Sequence, residues 1–123
     1  MPRKEDFHRL YHIWEAATEA LDFVEGRSRM ELDENRMLQH TLIRLLEIIG
    51  EAAGRVSEPF RDTYPEIPWS AMIGMRNRMI HAYFDINLNI VWDTVVDRLP
   101  GLINVIAPLL RKEGLISTPD NGQ

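Results

Sequence analysis

Five side chains able to handle a phosphate lie within one short span: Arg76, Asn77, Arg78, His81 and Tyr83. An arginine guanidinium is a permanently charged planar fork, matched in shape to two oxygens of a phosphate. Histidine gives and takes protons near neutral pH, as bond breaking at phosphorus requires. The phenol of Tyr83 adds a hydrogen-bond donor and an aromatic face. No acidic residue occurs between Ile67 and Tyr83, so the stretch carries nothing that repels an anion. The combination suggests phosphodiester chemistry, with Arg76 and His81 as the candidate catalytic pair and Asn77, Arg78 and Tyr83 in support.

The pattern predicts helices to carry these residues. Phe7, Leu10, Tyr11, Trp14, Ala17, Leu21 and Val24 recur at three- and four-residue steps, with Asp6 to cap the start and Gly26 to stop the helix. A loop follows at 27–29. Asp33 is the expected cap of a second helix reaching about Val56, striped by Leu38, Leu42, Leu45, Ile49 and Ala52. Between Leu42 and Ile49 apolar residues occupy most of the circumference, which predicts a central helix contacted on several sides. Its small residues, Gly50, Ala52, Ala53 and Gly54, would admit a close neighbour.

Ser57-Glu58-Pro59 predicts a short helix to about Asp62. The proline-rich run from Tyr64 to Trp69 is expected to be extended. Ser70 then opens the helix bearing the motif, whose Met72, Met75 and Met79 read as core or dimer contact. Asp85 to Asn89 interrupts it. A further helix is expected from about Ile90 to Arg98, and a last one from near Pro100, carrying Leu102, Ile103, Ile106, Leu109 and Leu110. The fold class is all-α, a bundle of four main helices plus shorter pieces. It is expected as one domain over residues 1–116, with a frayed tail at 117–123 that lacks any apolar anchor.

Helix geometry constrains the chemistry. At ~100° per residue, Arg76 and His81 stand ~140° apart, whereas Arg76 and Tyr83 share a face. Arg76 and His81 can meet at one phosphate if the helix ends near His81, or if a second copy brings its own motif alongside; a symmetric dimer is the commonest assembly. The bland reading of the same residues is a solvated face at Arg76 and Arg78, a hydrogen-bonded helix-end histidine and a half-buried tyrosine.

Composition narrows the classes. The chain has 123 residues, 45 % hydrophobic and 27 % charged, as a single soluble domain would. It lacks cysteine, which removes disulfides and thiolate chemistry and fits a reducing compartment. A net charge of −5 counts against broad coating of nucleic acid, since such binding needs many cations on phosphates. Any RNA contact must be local, and the fourteen basic residues, twelve of them Arg, allow one cationic patch. With no signal peptide in the opening residues and no apolar run long enough for a membrane, a cytoplasmic location is expected.

The spacing Arg-x4-His-x-Tyr, with Asn77 directly after Arg76, resembles the signature of HepT-type HEPN toxins. Ile49-Gly50-Glu51-Ala52, the run Tyr64 to Trp69, Tyr83-Phe84-Asp85, Val91-Trp92 and Leu99-Pro100 agree with that family, so the likeness extends from about Phe7 to Leu110. Ala82 stands where glycine is often found. The resemblance implies a HEPN-type homodimer whose two motifs face a shared cleft. It implies a metal-independent endoribonuclease toxin without cofactor, neutralised by a nucleotidyltransferase antitoxin of the MntA type. That partner would transfer AMP from ATP to Tyr83.

Other constellations are weaker. His8 and His12, four apart, have the spacing of zinc ligands but no marked third ligand. Glu47 and Glu51 lack the Glu-x-x-His partners of di-iron bundles, and Glu51 reads better as a hydrogen-bonding group at a helix crossing or near the cleft. The rival function is a non-catalytic helical partner that docks a nucleotidyltransferase or binds nucleotide without cutting RNA. The full Arg-His-Tyr set favours the enzyme, because an adaptor has no evident need of all three.

Overall fold

A computed structural model of the chain describes residues 4–82 and 87–118, with 80–82 as backbone only. Among the described residues the structure is all-α, as the periodicity predicts. Helix α1 is Lys4–Val24, α2 Arg29–Glu34, α3 Arg36–Arg55, α4 Glu58–Thr63, α5 Trp69–Ala82, α6 Leu88–Asp93 and α7 Leu99–Lys112. A π-helical stretch, Thr94–Arg98, joins α6 to α7. Helix α3 lies between α1 and α5, and α1 also packs on α7. Leu42, Ile43, Leu46 and Ile49 of α3 are wholly buried, which is the central position its apolar circumference calls for.

Several boundaries differ from the sequence reading, each for a local reason. Asp6 does not cap α1, which begins at Lys4. Its carboxylate is buried and accepts hydrogen bonds from Ser57, 2.8 Å from the backbone N and 2.7 Å from Oγ. One side chain thus ties the start of α1 to the start of α4. Gly26 does stop α1, at φ +75°, a region where glycine has no Cβ to clash.

The expected loop at 27–29 is present at Arg27 and Ser28 but ends one residue sooner, and the single second helix is two helices. Ser28 precedes α2 and its N–H donates to Glu31 Oε1 at 3.3 Å. Asn35 breaks the run at φ −122° and caps α3, its Oδ1 accepting from Leu38 N at 3.0 Å. Asp33, expected as that cap, instead pairs with Arg29 at 2.9 Å.

Ser57 caps α4 as predicted. The following proline-rich run is a turn, not an extended strand: Ile67 N donates to the Tyr64 carbonyl at 3.2 Å, and the Trp69 indole donates to the same oxygen at 3.0 Å. That turn packs Phe60 between Phe7, Tyr64 and Trp69. It aims α5 from a fixed base, one residue earlier than Ser70. The predicted interruption at 85–89 is narrower on its far side, because Asn87 caps α6 and Leu88 is already helical. Instead of two separate helices, α6 then continues through the π-helical stretch into α7, and the change of winding falls just before Pro100, which has no N–H to give to the preceding turn.

Leu115 and Ile116 fold back against the core beyond Gly114, where Leu115 N donates to the Leu110 carbonyl at 2.9 Å. Among the described residues no helix is long and apolar enough to cross a membrane.

Candidate phosphate-handling site on the fifth helix

Methionines decide how α5 is oriented. Met72, Met75 and Met79 are buried against the core, with Trp69 at the helix start. Arg76 lies ~60° around the helix from Met79, on the flank that faces α3. There α3 presents Gly50, and a Cβ built on that glycine would fall 2.8 Å from both Arg76 N and the Met72 carbonyl oxygen, and against Arg76 Cβ. The absence of a side chain at position 50 is what lets the two backbones come so close. The root of Arg76 is therefore set by helix-on-helix contact.

The rest of the Arg76 side chain leaves the crossing toward solvent. It is 47 % exposed, and its Nε lies 4.0 Å from Glu51 Oε1. A pair of that length and exposure contributes about 0–1 kcal/mol. Glu51 therefore steadies the guanidinium without neutralising it for good, and a phosphate offering two oxygens to the fork would be the stronger partner. Of the two places expected for Glu51, a helix crossing or the cleft, the structure has it at the crossing of α3 and α5, where its contact is the Arg76 pair.

Asn77 and Arg78 are exposed on α5. They follow Arg76 directly but turn ~100° and ~200° away from it, so the three do not converge on one point within the chain. Helix α5 remains helical through Ala82. Positions 76 and 81 accordingly leave the axis ~140° apart, and the helix end does not fold one back upon the other. Position 81 falls ~160° from Met79, on the strip that also holds Ser70, Gly74 and Asn77. The His81 side chain, and the expectation placed on Tyr83, lie outside the described residues.

His8 and His12 line one shallow groove with Tyr11 and Leu115, which supplies no carboxylate. Among the described residues no three histidine, aspartate or glutamate side chains are grouped as metal ligands would be. A second groove escaped the sequence reading. Arg9 and His12 of α1 line it together with Ile48, Glu51, Ala52 and Arg55 of α3. The three-residue step from Arg9 to His12 and the seven-residue step from Ile48 to Arg55 were visible signals, but their meeting depends on how α1 registers against α3.

A model of the ribonuclease HepT-like family matches residues 13–109. The chain belongs to that family. A Methanocaldococcus jannaschii protein provisionally named RNase MJ0127 is 36 % identical over 111 residues, covering 90 % of this chain and 92 % of the relative. A Thermococcus cleftensis protein named as a probable ribonuclease HepT is 38 % identical over 92 residues, covering 72 % and 84 %. A Caldanaerobacter subterraneus protein provisionally named RNase TTE0752 is 34 % identical, covering 85 % and 93 %. No solved structure matches. The expected enzyme class, ribonuclease, agrees with the family description and with these names, and the matched span includes both Arg76 and His81 of this HepT-like chain.

Proposed function

We propose that the chain is a metal-independent endoribonuclease, the toxin of a type VII-like pair with a nucleotidyltransferase antitoxin of the MntA kind. The observation that carries the reading is Arg76: an exposed guanidinium, rooted at a helix crossing and loosely held by Glu51, in a member of the HepT-like ribonuclease family. In the proposed reaction the RNA 2′-OH attacks the adjacent phosphorus and the bond to the 5′ oxygen breaks, leaving a cyclic phosphate and a 5′-OH. His81 exchanges a proton with the attacking or leaving oxygen, and Arg76 binds the non-bridging oxygens as charge builds on them. Asn77 orients the phosphate or His81, and Arg78 adds positive potential.

The proposed working form is a homodimer. Supporting it is the outward strip of α5, where Ser70 and Asn77 are exposed and an added Cβ on Gly74 would meet nothing within 4 Å. A second helix could approach that strip closely. The working unit is the span 1–116, acting in the cytoplasm. Neutralisation is proposed to occur when the Tyr83 hydroxyl attacks the α-phosphorus of ATP on the antitoxin and pyrophosphate leaves. The attached AMP would then fill the cleft and add negative charge.

The test is RNA cleavage by the purified chain, also ended at residue 116, beside Arg76→Lys and His81→Ala. Cleavage without added metal that His81→Ala abolishes and Arg76→Lys weakens is the expected result, since an ammonium cannot reproduce the fork. Cleavage by His81→Ala at the native rate would remove the assignment. An intact chain that cuts no RNA and is harmless in cells would instead favour a non-catalytic adaptor. Incubation with antitoxin and ATP should add the mass of AMP, and Tyr83→Phe should abolish that gain.

A further inference from the structure

We infer that the seam between α1 and α3 is a second phosphate subsite, which holds the RNA backbone next to the phosphate being cut. The inference rests on the ribonuclease reading and deepens it. Arg9, His12 and Arg55 line a groove of about 170 Å³ with Ile48, Glu51 and Ala52. Among the described residues neither Arg9 nor Arg55 is in an ion pair, a state they share with Arg36, Arg61, Arg78, Arg98 and Arg111; what sets these two apart is that they line one groove with His12. The acidic group in the groove, Glu51, is the one whose Oε1 lies 4.0 Å from Arg76 Nε on the neighbouring helix. Glu51 therefore forms the divide between two cationic surfaces, Arg76 on one side and Arg9 with Arg55 on the other.

Three guanidinium groups and one imidazole around a single carboxylate leave net positive charge at this place, on a chain whose overall charge is −5. Arg9, His12 and Arg55 meet on the seam of α1 and α3, and Glu51 links that seam to Arg76 on the motif helix. The ligand class that suits the arrangement is a polyanion passing over Glu51: one phosphate at Arg76, the next at Arg55 and Arg9. The half-buried Ile48 gives the groove an apolar floor for the edge of a sugar or base. The subsite would fix where along the strand the scissile phosphate falls, while leaving base identity unread.

Counterion release supplies the test. For a single strand, each phosphate contact adds ~0.7 to the slope of log K against log salt. The probe is a 2′-O-methylated oligoribonucleotide, which binds but offers no 2′-OH for attack, titrated against the full chain between low and moderate salt. The double variant Arg9→Ala/Arg55→Ala should lower the slope by ~0.7, the share of the one phosphate the two arginines hold, and Arg9→Lys/Arg55→Lys should keep the native slope, since it keeps the charge. Removing an acid-paired cation, with Arg27→Ala, should leave the slope where it was. If the double alanine variant, shown to be folded by its thermal transition, binds with the native slope, the subsite does not exist. The ribonuclease reading fails separately, if the native chain leaves unmodified RNA uncut.

Discussion

Gly50→Ala is the substitution that asks most of the α3–α5 crossing. The added methyl would stand 2.8 Å from Arg76 N and from the Met72 carbonyl oxygen, and against Arg76 Cβ. Non-bonded carbon contacts settle at ~3.5–4.0 Å, so the helices must part by about 1 Å. Neither backbone atom can swing aside as a long side chain would. Overpacking of this kind costs ~1–3 kcal/mol. Against it stands the gain of replacing glycine by alanine inside a helix, about 1 kcal/mol. The balance is destabilisation by ~0–2 kcal/mol, or a Tm lower by up to roughly 10 °C for a domain of this size.

A control lies one turn along the same helix. An alanine Cβ at Gly54 would meet nothing within 4 Å, so Gly54→Ala should gain ~0.5–1 kcal/mol. Thermal unfolding followed by circular dichroism reads both. Activity should separate further, since a shift of about 1 Å at the root of Arg76 can cost ~100-fold in rate when Arg76 positions the reacting phosphate. Gly50→Ala melting above the native temperature, raised as far as Gly54→Ala raises it, would refute the close crossing.

Asp6→Ala should cost ~2–4 kcal/mol in urea unfolding, because it leaves the Ser57 N–H and hydroxyl without their shared charged acceptor; Asp6→Asn should fall between it and the native chain. An unchanged midpoint for the alanine variant would mean that water replaces the carboxylate there. Gly74→Leu fills open space on α5, so it should keep or slightly raise the melting temperature while shifting the chain from dimer to monomer in sedimentation. A dimer that survives this substitution does not use the outward strip of α5.

What was legible in the sequence follows from how local its causes are. The stop at Gly26, the cap at Ser57 and the central role of α3 each depend on residues within a turn or two, and the structure has them. The small residues of α3 announced a close neighbour, and Gly50 against Arg76 is that contact. Asp33 and Asn35 are both good caps two residues apart, and nothing local decides between them; the break falls at Asn35, which leaves Asp33 to Arg29. Asp6 was misread because its partner is 51 residues away. The Arg9–Arg55 groove was invisible for the same reason, since helix register is a property of the whole core. On the motif itself, spacing gave the angular relation between positions 76 and 81, and α5, helical through Ala82, keeps it.

The second copy is the proposed route to bringing Arg76 and His81 together, and its geometry has a distinctive consequence. Suppose two α5 helices pack antiparallel along their outward strips, with the two-fold axis passing near Asn77. Position 81 then lies ~6 Å along the axis from the crossing point, and position 76 of the partner ~1.5 Å to the same side. The axial offset between them is ~4.5 Å, against ~7.5 Å within one chain; position 81 faces the partner helix, and the long Arg76 side chain has to reach round from a flank ~130° away from the seam to meet it. Each cleft is then built from Arg76 of one copy and His81 of the other. An Arg76→Ala chain and a His81→Ala chain are each inactive alone, yet a mixed dimer of the two contains one complete site. Random exchange makes half of the dimers mixed, each with one of its two sites intact, so about one quarter of native cleavage should return on mixing. Sites contained within single chains would recover nothing, however long the mixture is left to exchange.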